Sequence, residues 1–276
     1  MWIILSVTVL IIIIVAYFQV PFSPLKSGFK KTIQTQASGS KESSEVFTAQ
    51  EIEKLPVPVQ KYFETCGFIG KPKMSYMKAF FKNADFLMSA DKPKSKIDYT
   101  LYTFSETPAR CAFIDTKMFG IPFQGVDSYV NGKGGMKGVL AKAITLFNET
   151  GEQLDSGNLV NVLSECLIVP SIALQDYIAW TAVDDTHAQA AIAFYGITVS
   201  GFFTFSETGE LMSFTTNDRW EVEPGGASKQ IPWSIALSDY SEHNGIRQPT
   251  NFKAIWHYEK GDSVYFDGSN ITIEYY

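Results

Sequence analysis

The sequence predicts a mainly β, α+β fold: one large antiparallel sheet, curved or rolled into an unclosed barrel, carrying two to three short helices and preceded by a single N-terminal transmembrane helix. Three observations lead there. Residues 1–20 hold no charged side chain; alternating apolar runs separated by Gly, Asn and Asp turns fill most of the chain beyond residue 70; and helical periodicity after the first span is confined to two short stretches. With 276 residues and 45% hydrophobic content the chain can bury a substantial core.

The segment 1–20, MWIILSVTVLIIIIVAYFQV, would reach about 30 Å as a helix, the thickness of a bilayer core. A secretory signal peptide would bring a basic start and a small-residue cleavage site, and neither Lys or Arg before residue 20 nor an A-x-A-like site after it is present. The expectation is a retained single-pass anchor. Residues 21–48 are rich in Ser, Thr, Lys, Gln and Gly, a composition that reads as a flexible tether with a reach of about 30 Å. Residues 49–276 then form a single β-rich domain. Lys26, Lys30 and Lys31 follow the span, which by the positive-inside rule favours a cytoplasmic domain.

Thr48-Ala49-Gln50-Glu51 fits a capping box and starts a short helix. Pro56 and Pro58 interrupt it, Pro58 suits a new first turn, and Val59, Tyr62, Phe63 and Cys66 recur at helical spacing until Gly67. A second helix is expected from Ser156 to about Val169, its apolar face made of Leu159, Val160, Leu163, Cys166 and Leu167, with Pro170 stopping it or restarting it as a final turn.

The rest reads as strand. Before the second helix, 73–90, 95–105, 109–119 and 123–147 are strand-like; after it, 178–184 pairs with 188–195 and 197–205 with 211–220. At the C-terminal end Ile231, Trp233, Ile235 and Leu237 alternate with mostly polar residues, Asn244-Gly245 marks a hairpin, and Phe252, Ala254, Trp256 and Tyr258 alternate back. Turns at 260–262 and 267–270 punctuate two more short strands. Leu101–Phe104, Ile192–Tyr195 and Phe202–Phe205 are apolar on both faces. Packing against a helix or second sheet explains this, and so does an apolar cavity within a curved sheet.

Several classes of function are disfavoured. The net charge of −6 gives no basic stripe for nucleic acid. The motifs G-x-S-x-G, G-x-x-x-x-G-K-[ST] and H-E-x-x-H are absent, and no cofactor is expected. The run 132–138, rich in glycine, lacks the strand-to-helix context of a phosphate cradle and reads as a turn between strands. Asp185 and His187 are two ligands without a third, so no metal is expected. Cys66, Cys111 and Cys166 are odd in number and read as buried thiols.

A set of motifs in order resembles an uncharacterised family of bacterial membrane-anchored proteins with a domain of unknown function. The matching pieces are Leu55 to Tyr62 with Gly67 and Gly70, Gly125 to Tyr129, Leu163 to Leu174, Trp180 with Asp184 and Ala188, and Tyr240 through Asn244-Gly245-Ile246-Arg247-Gln248-Pro249 to Trp256. The family implies no catalytic residue. In architecture the chain is also similar to the unclosed barrels of bacterial lipoprotein carriers, which implies a hydrophobic ligand and places the domain outside the cytoplasm, against the lysine count.

The expected function is a membrane-tethered module that binds a hydrophobic or lipid-like ligand, or a membrane-proximal partner. Phe104, Phe194, Phe203 and Phe205 are the candidate lining residues, and Arg219 and Arg247 the candidates for an anionic head group. The alternatives are a small hydrolase-like enzyme using Asp185, His187 or Glu165, and a purely structural interaction domain.

Overall fold

The computed structural model describes residues 1–40, 44–88, 93–223, 225 and 228–276. Helix α1 (Trp2–Gln19) is largely apolar, has no buried residue, and is of the length and composition of a membrane span, a test that a signal sequence also meets. The expected coil after it is instead largely helical. Ser23 caps the amide of Lys26, Pro24 occupies the first turn of α2 (Pro24–Gly39), and Phe29 is buried against Phe113 and Tyr102 of the sheet at ring distances of 5.3 and 6.0 Å. Lys26 joins the contact by pairing with Asp115 and lying over the Phe113 ring. Leu25 and Ile33 pack against the same cluster, so three apolar residues in a polar segment dock it, which composition alone does not reveal.

Thr48 and Glu51 form both halves of the expected capping box at α3 (Ala49–Ile52), and α4 (Val57–Thr65) follows with Pro58 inside its first turn. A meander then runs through β1 (Tyr76–Phe86), β2 (Ser95–Phe104), β3 (Ala109–Met118), β4 (Ile121–Val130), β5 (Lys133–Leu140) and β6 (Ile144–Thr150). Helix α5 (Glu152–Ser164) starts four residues earlier than expected and ends at Ser164, after which Pro170 opens the short α6 (Pro170–Ala173). Next come β7 (Ile178–Ala182), β8 (His187–Phe194), β9 (Ile197–Phe205) and β10 (Leu211–Thr216), a small separate antiparallel pair β11 (Trp220–Val222) with β12 (Ser228–Gln230), and the final meander β13 (Trp233–His243), β14 (Ile246–Tyr258), β15 (Gly261–Ser269) and β16 (Ile271–Tyr275).

Among the described residues fourteen strands form one antiparallel sheet in the order β6-β5-β4-β3-β2-β1-β15-β14-β13-β10-β9-β8-β7, with β16 also on β1. A bulge between Phe81 and Ala84 bends β1, so that residues 77–81 pair with β16 while Asp85 and Phe86 pair with β15. The sheet curves around α5, which touches strands as far apart as β3 and β9. Ten residues of α5 are buried, and Tyr62 of α4 donates to the Leu167 carbonyl beyond it, tying the helices into one core. The glycine-rich run expected as a turn is mostly strand β5. Its glycines are explained by close approach: a Cβ at Gly134 would lie 2.2 Å from the Leu154 carbonyl oxygen of α5, and one at Gly138 2.3 Å from the Phe147 ring.

Candidate functional site: a cavity between sheet and helix

Strand alternation determines which side chains face α5, and at one end of the sheet they do not close on it. They leave a cavity of about 710 Å³. Phe252, Ala254, Trp256 and Tyr258 occupy every second position of β14 and all line it, opposite Phe81 and Phe86 of β1, Tyr99 and Leu101 of β2, Phe123 of β4 and Tyr265 and Phe266 of β15. The rings hold one another: Phe266 meets Phe81 edge-on at 5.2 Å and Tyr99 at 5.3 Å, and Trp256 stacks on Tyr265 at 5.7 Å.

A polar cluster sits at the inner end. Arg110 of β3 donates from Nε to Glu165 (2.8 Å), from Nη1 to Asp127 (2.9 Å) and from Nη2 to the Tyr99 hydroxyl (2.8 Å), while the Thr103 hydroxyl donates to the second Glu165 oxygen. Burial opposes the Arg110 charge, but Glu165, Tyr99 and Asp127 outweigh it and hold its pKa well above the ordinary value. Burial likewise pushes the Tyr99 phenol up. Arginine stays charged and tyrosine neutral at physiological pH, and the cluster ties Glu165, at the C-terminal end of α5, to β2, β3 and β4.

Arg219, between β10 and β11, is bound differently. Its guanidinium lies 5.3 Å from the Trp233 ring centre and 5.7 Å from that of Trp256, and reaches α5 at Gly157, where a Cβ would stand 2.5 Å from Nη1. Its Nε is buried without a hydrogen-bond partner, and among the described residues no carboxylate pairs with it. The β11–β12 hairpin that follows borders the cavity through Trp220, Glu221 and Val222, and Glu221 accepts from Tyr258 at 2.6 Å, fastening that hairpin to β14.

Of the residues singled out from sequence, Arg219 and Glu165 line this cavity. Phe104, Phe194, Phe203, Phe205 and Arg247 lie elsewhere. Phe104 packs on Tyr76, Phe194 on Tyr177, Phe203 between Trp180 and Phe214, and Phe205 on Tyr62. On β2 the outer face is covered, Tyr102 meeting Phe29 of α2, whereas at β8 and β9 the outer apolar residues stay open, with Tyr195 and Phe202 exposed. Arg247 pairs with Glu210. The candidate acid–base residues are also dispersed. Glu165 is engaged by Arg110, Asp185 is exposed, and His187 bonds Asp184 at 2.9 Å in the β7–β8 turn, where the Thr186 amide and then His187 hold that carboxyl down at about 2. Among the described residues no group of three or more His, Cys, Asp or Glu is placed to hold a metal ion. Sequence reasoning missed Arg110, Tyr99 and Asp127, which sit on three strands and share no local pattern.

A model of the Family of unknown function (DUF6544) matches residues 45–268. The chain belongs to this family. The match takes in the polar cluster and all of the cavity lining but Ile271, and leaves out α1, α2 and β16 of this DUF6544 protein. No curated protein gives a significant match. Among solved structures, the chain is similar to a LolA superfamily protein from Nitrosomonas europaea at 10% identity and a TM-score of 0.42, covering 84% of this chain and 94% of that one. It is also similar to a Vibrio parahaemolyticus domain named for outer membrane lipoprotein sorting, at 12% identity and a TM-score of 0.37, covering 81% and 93%.

Proposed function

We propose that this protein is a membrane-tethered module that takes up a hydrophobic, lipid-like ligand in the cavity, with Arg219 meeting an anionic head group. The cavity carries the proposal. Side-chain packing normally leaves voids little larger than a water molecule, whereas about 710 Å³ lies within the range of small-molecule sites. Its lining is aromatic and aliphatic along the sheet, and Arg219 is the guanidinium there without a carboxylate partner among the described residues. Helix α1 supplies the tether. One of the three lysines after it, Lys26, has a structural role against Asp115 and Phe113, which weakens the lysine count as a guide to sidedness and keeps the extracytoplasmic placement as our reading.

Two measurements test the proposal on the full chain: mass spectrometry of solvent extracts for co-purifying lipid, and titration with an environment-sensitive fluorescent fatty acid. Saturable uptake at one probe per chain, displaced by unlabelled fatty acid, is the expected result. Protein that carries no lipid and takes up no probe would leave the proposal without support and return the cavity to a purely structural role.

A further inference from the structure

The turn between β3 and β4 holds a residue that neither folding preference nor packing explains. Met118 pairs with Ile121 across a two-residue turn, Phe119-Gly120, whose φ angles of +53° and +82° are those for which Asn-Gly is the usual choice. Phenylalanine accepts the left-handed backbone there with its side chain wholly exposed, at 101% of the reference area. Ile121, beside it, and Ile144 and Leu146 of the adjacent β5–β6 hairpin are exposed too. Register sets all of them at one end of the sheet, since β4 begins where β3 ends and Leu140 faces both Phe123 and Ile144.

The same end holds α1. In the β5–β6 turn Ala141 and Lys142 also take left-handed φ values, and the Lys142 ammonium donates to the carbonyls of Tyr17, Phe18 and Val20 while lying 5.6 Å from the Tyr17 ring centre. Those carbonyls close the C-terminal turn of α1, where helical partners run out and a cation is favoured. Tyr17, Phe18 and the exposed Phe22 supply the aromatic residues expected where a span meets the head groups. We infer that the β3–β4 and β5–β6 hairpin tips insert into the interface of the bilayer that holds α1, so that the domain is seated on lipid. This rests on the tether reading above.

Seating gives the cavity an orientation. Phe86, which lines it, pairs with Ser95 of β2 at the strand ends level with Met118, and Leu87 and Met88 beyond it line it as well. Phe123 lines it two residues after Ile121. An apolar stretch of the cavity wall, Phe86 to Met88 with Phe123, therefore adjoins the seated edge, and a ligand drawn from the membrane has a path along hydrophobic side chains.

The test uses the full chain in phosphatidylcholine–phosphatidylglycerol vesicles. Phe119→Cys and Ile144→Cys are each labelled with an NBD thiol reagent; Cys66, Cys111 and Cys166 are buried and stay unlabelled in the folded protein. Glu242→Cys, in the β13–β14 hairpin at the opposite end of the sheet, is the reference. Nitroxide-labelled lipid should quench the first two positions several-fold more than the third, and iodide should show the reverse order. Phe119→Asn, suited to the same turn, should fold like the parent yet at least halve the lipid quenching of a label at 144. Labels at 119 and 144 that iodide reaches as freely as the one at 242, on protein that floats with the vesicles, overturn the seating and leave the tether standing. Shielding from both quenchers overturns it in favour of a protein contact. Protein that fails to float removes the tether and the seating together.

Discussion

Replacing Arg219 with methionine separates the head-group role from the cavity itself. For folding, the change removes guanidinium contacts with Trp233 and Trp256, a loss of about 0.5–2 kcal/mol. It also removes a buried Nε donor that has no acceptor, and an unsatisfied group of this kind costs about 1–3 kcal/mol. The two effects are of opposite sign and similar size, and methionine keeps an unbranched stem between the rings. Stability should therefore move by less than about 1 kcal/mol, or roughly 2–4 °C in Tm for a chain of this length. Binding should behave otherwise. A hydrogen bond to a charged partner contributes about 1.5–3 kcal/mol, or roughly 10- to 150-fold in Kd. The assay is displacement of the fluorescent fatty acid by a long-chain acid and by the alcohol of equal length. The parent should prefer the acid by at least about tenfold, on that same conversion, and Arg219→Met should lose the preference with little change for the alcohol. A parent that binds acid and alcohol alike, or a variant that keeps the preference, would refute the assignment of Arg219.

Three further outcomes follow from the packing. Phe203 is fully buried between Trp180 and Phe214 while Phe202, on the opposite face, is 44% exposed, so Phe203→Ser should cost about 3–5 kcal/mol in chemical denaturation and Phe202→Ser about 1 or less. Arg110→Met strands the Glu165 and Asp127 carboxylates beside the cavity and should cost about 3–5 kcal/mol; a double-mutant cycle with Glu165→Met should recover part of it, and strict additivity would deny the coupling. Burial raises the Cys66 and Cys111 thiols to about 12, whereas in the unfolded chain they ionise near their ordinary value of 9. The unfolded state sheds those protons first, so their contribution is complete below pH 9 and is lost as pH climbs towards 12; a Tm that stays flat over that window would contradict their burial.

Local chemistry made much of the fold legible. The Asn244-Gly245 turn, the Thr48–Glu51 capping box and the restart at Pro170 each stand where short-range rules put them, because turns and caps are decided by a few adjacent residues. The alternation of Phe252, Ala254, Trp256 and Tyr258 already placed them on one face, and that face is the cavity. What the face meets was not legible. Whether an apolar side is covered by α2, by α5 or by open space depends on pairings more than a hundred residues apart, such as Phe81 with Ile271, and no local pattern records them. For the same reason Phe203 and Trp256, alike in sequence context, end up in solid packing and in a cavity wall respectively.

The divided edge of β1 bears on how the chain comes together. Strands β1 to β6 can zip as successive hairpins while they are being made, and so can β7 to β10, but among the described residues the two halves of the sheet join through β15 and β16 on β1. Met77 meets Tyr275 across nearly two hundred residues of intervening sequence. On the ribosome, β1 must wait with one row of amides unpaired until the last strands emerge, and closure of so distant a contact is slow. With α1 in a membrane, as the proposed tether has it, α2 docked on the outside of β3 would hold that waiting half-sheet at a fixed address and cover part of its apolar outer face. The order of synthesis and the order of assembly then coincide: anchor first, half-sheet next, seam last.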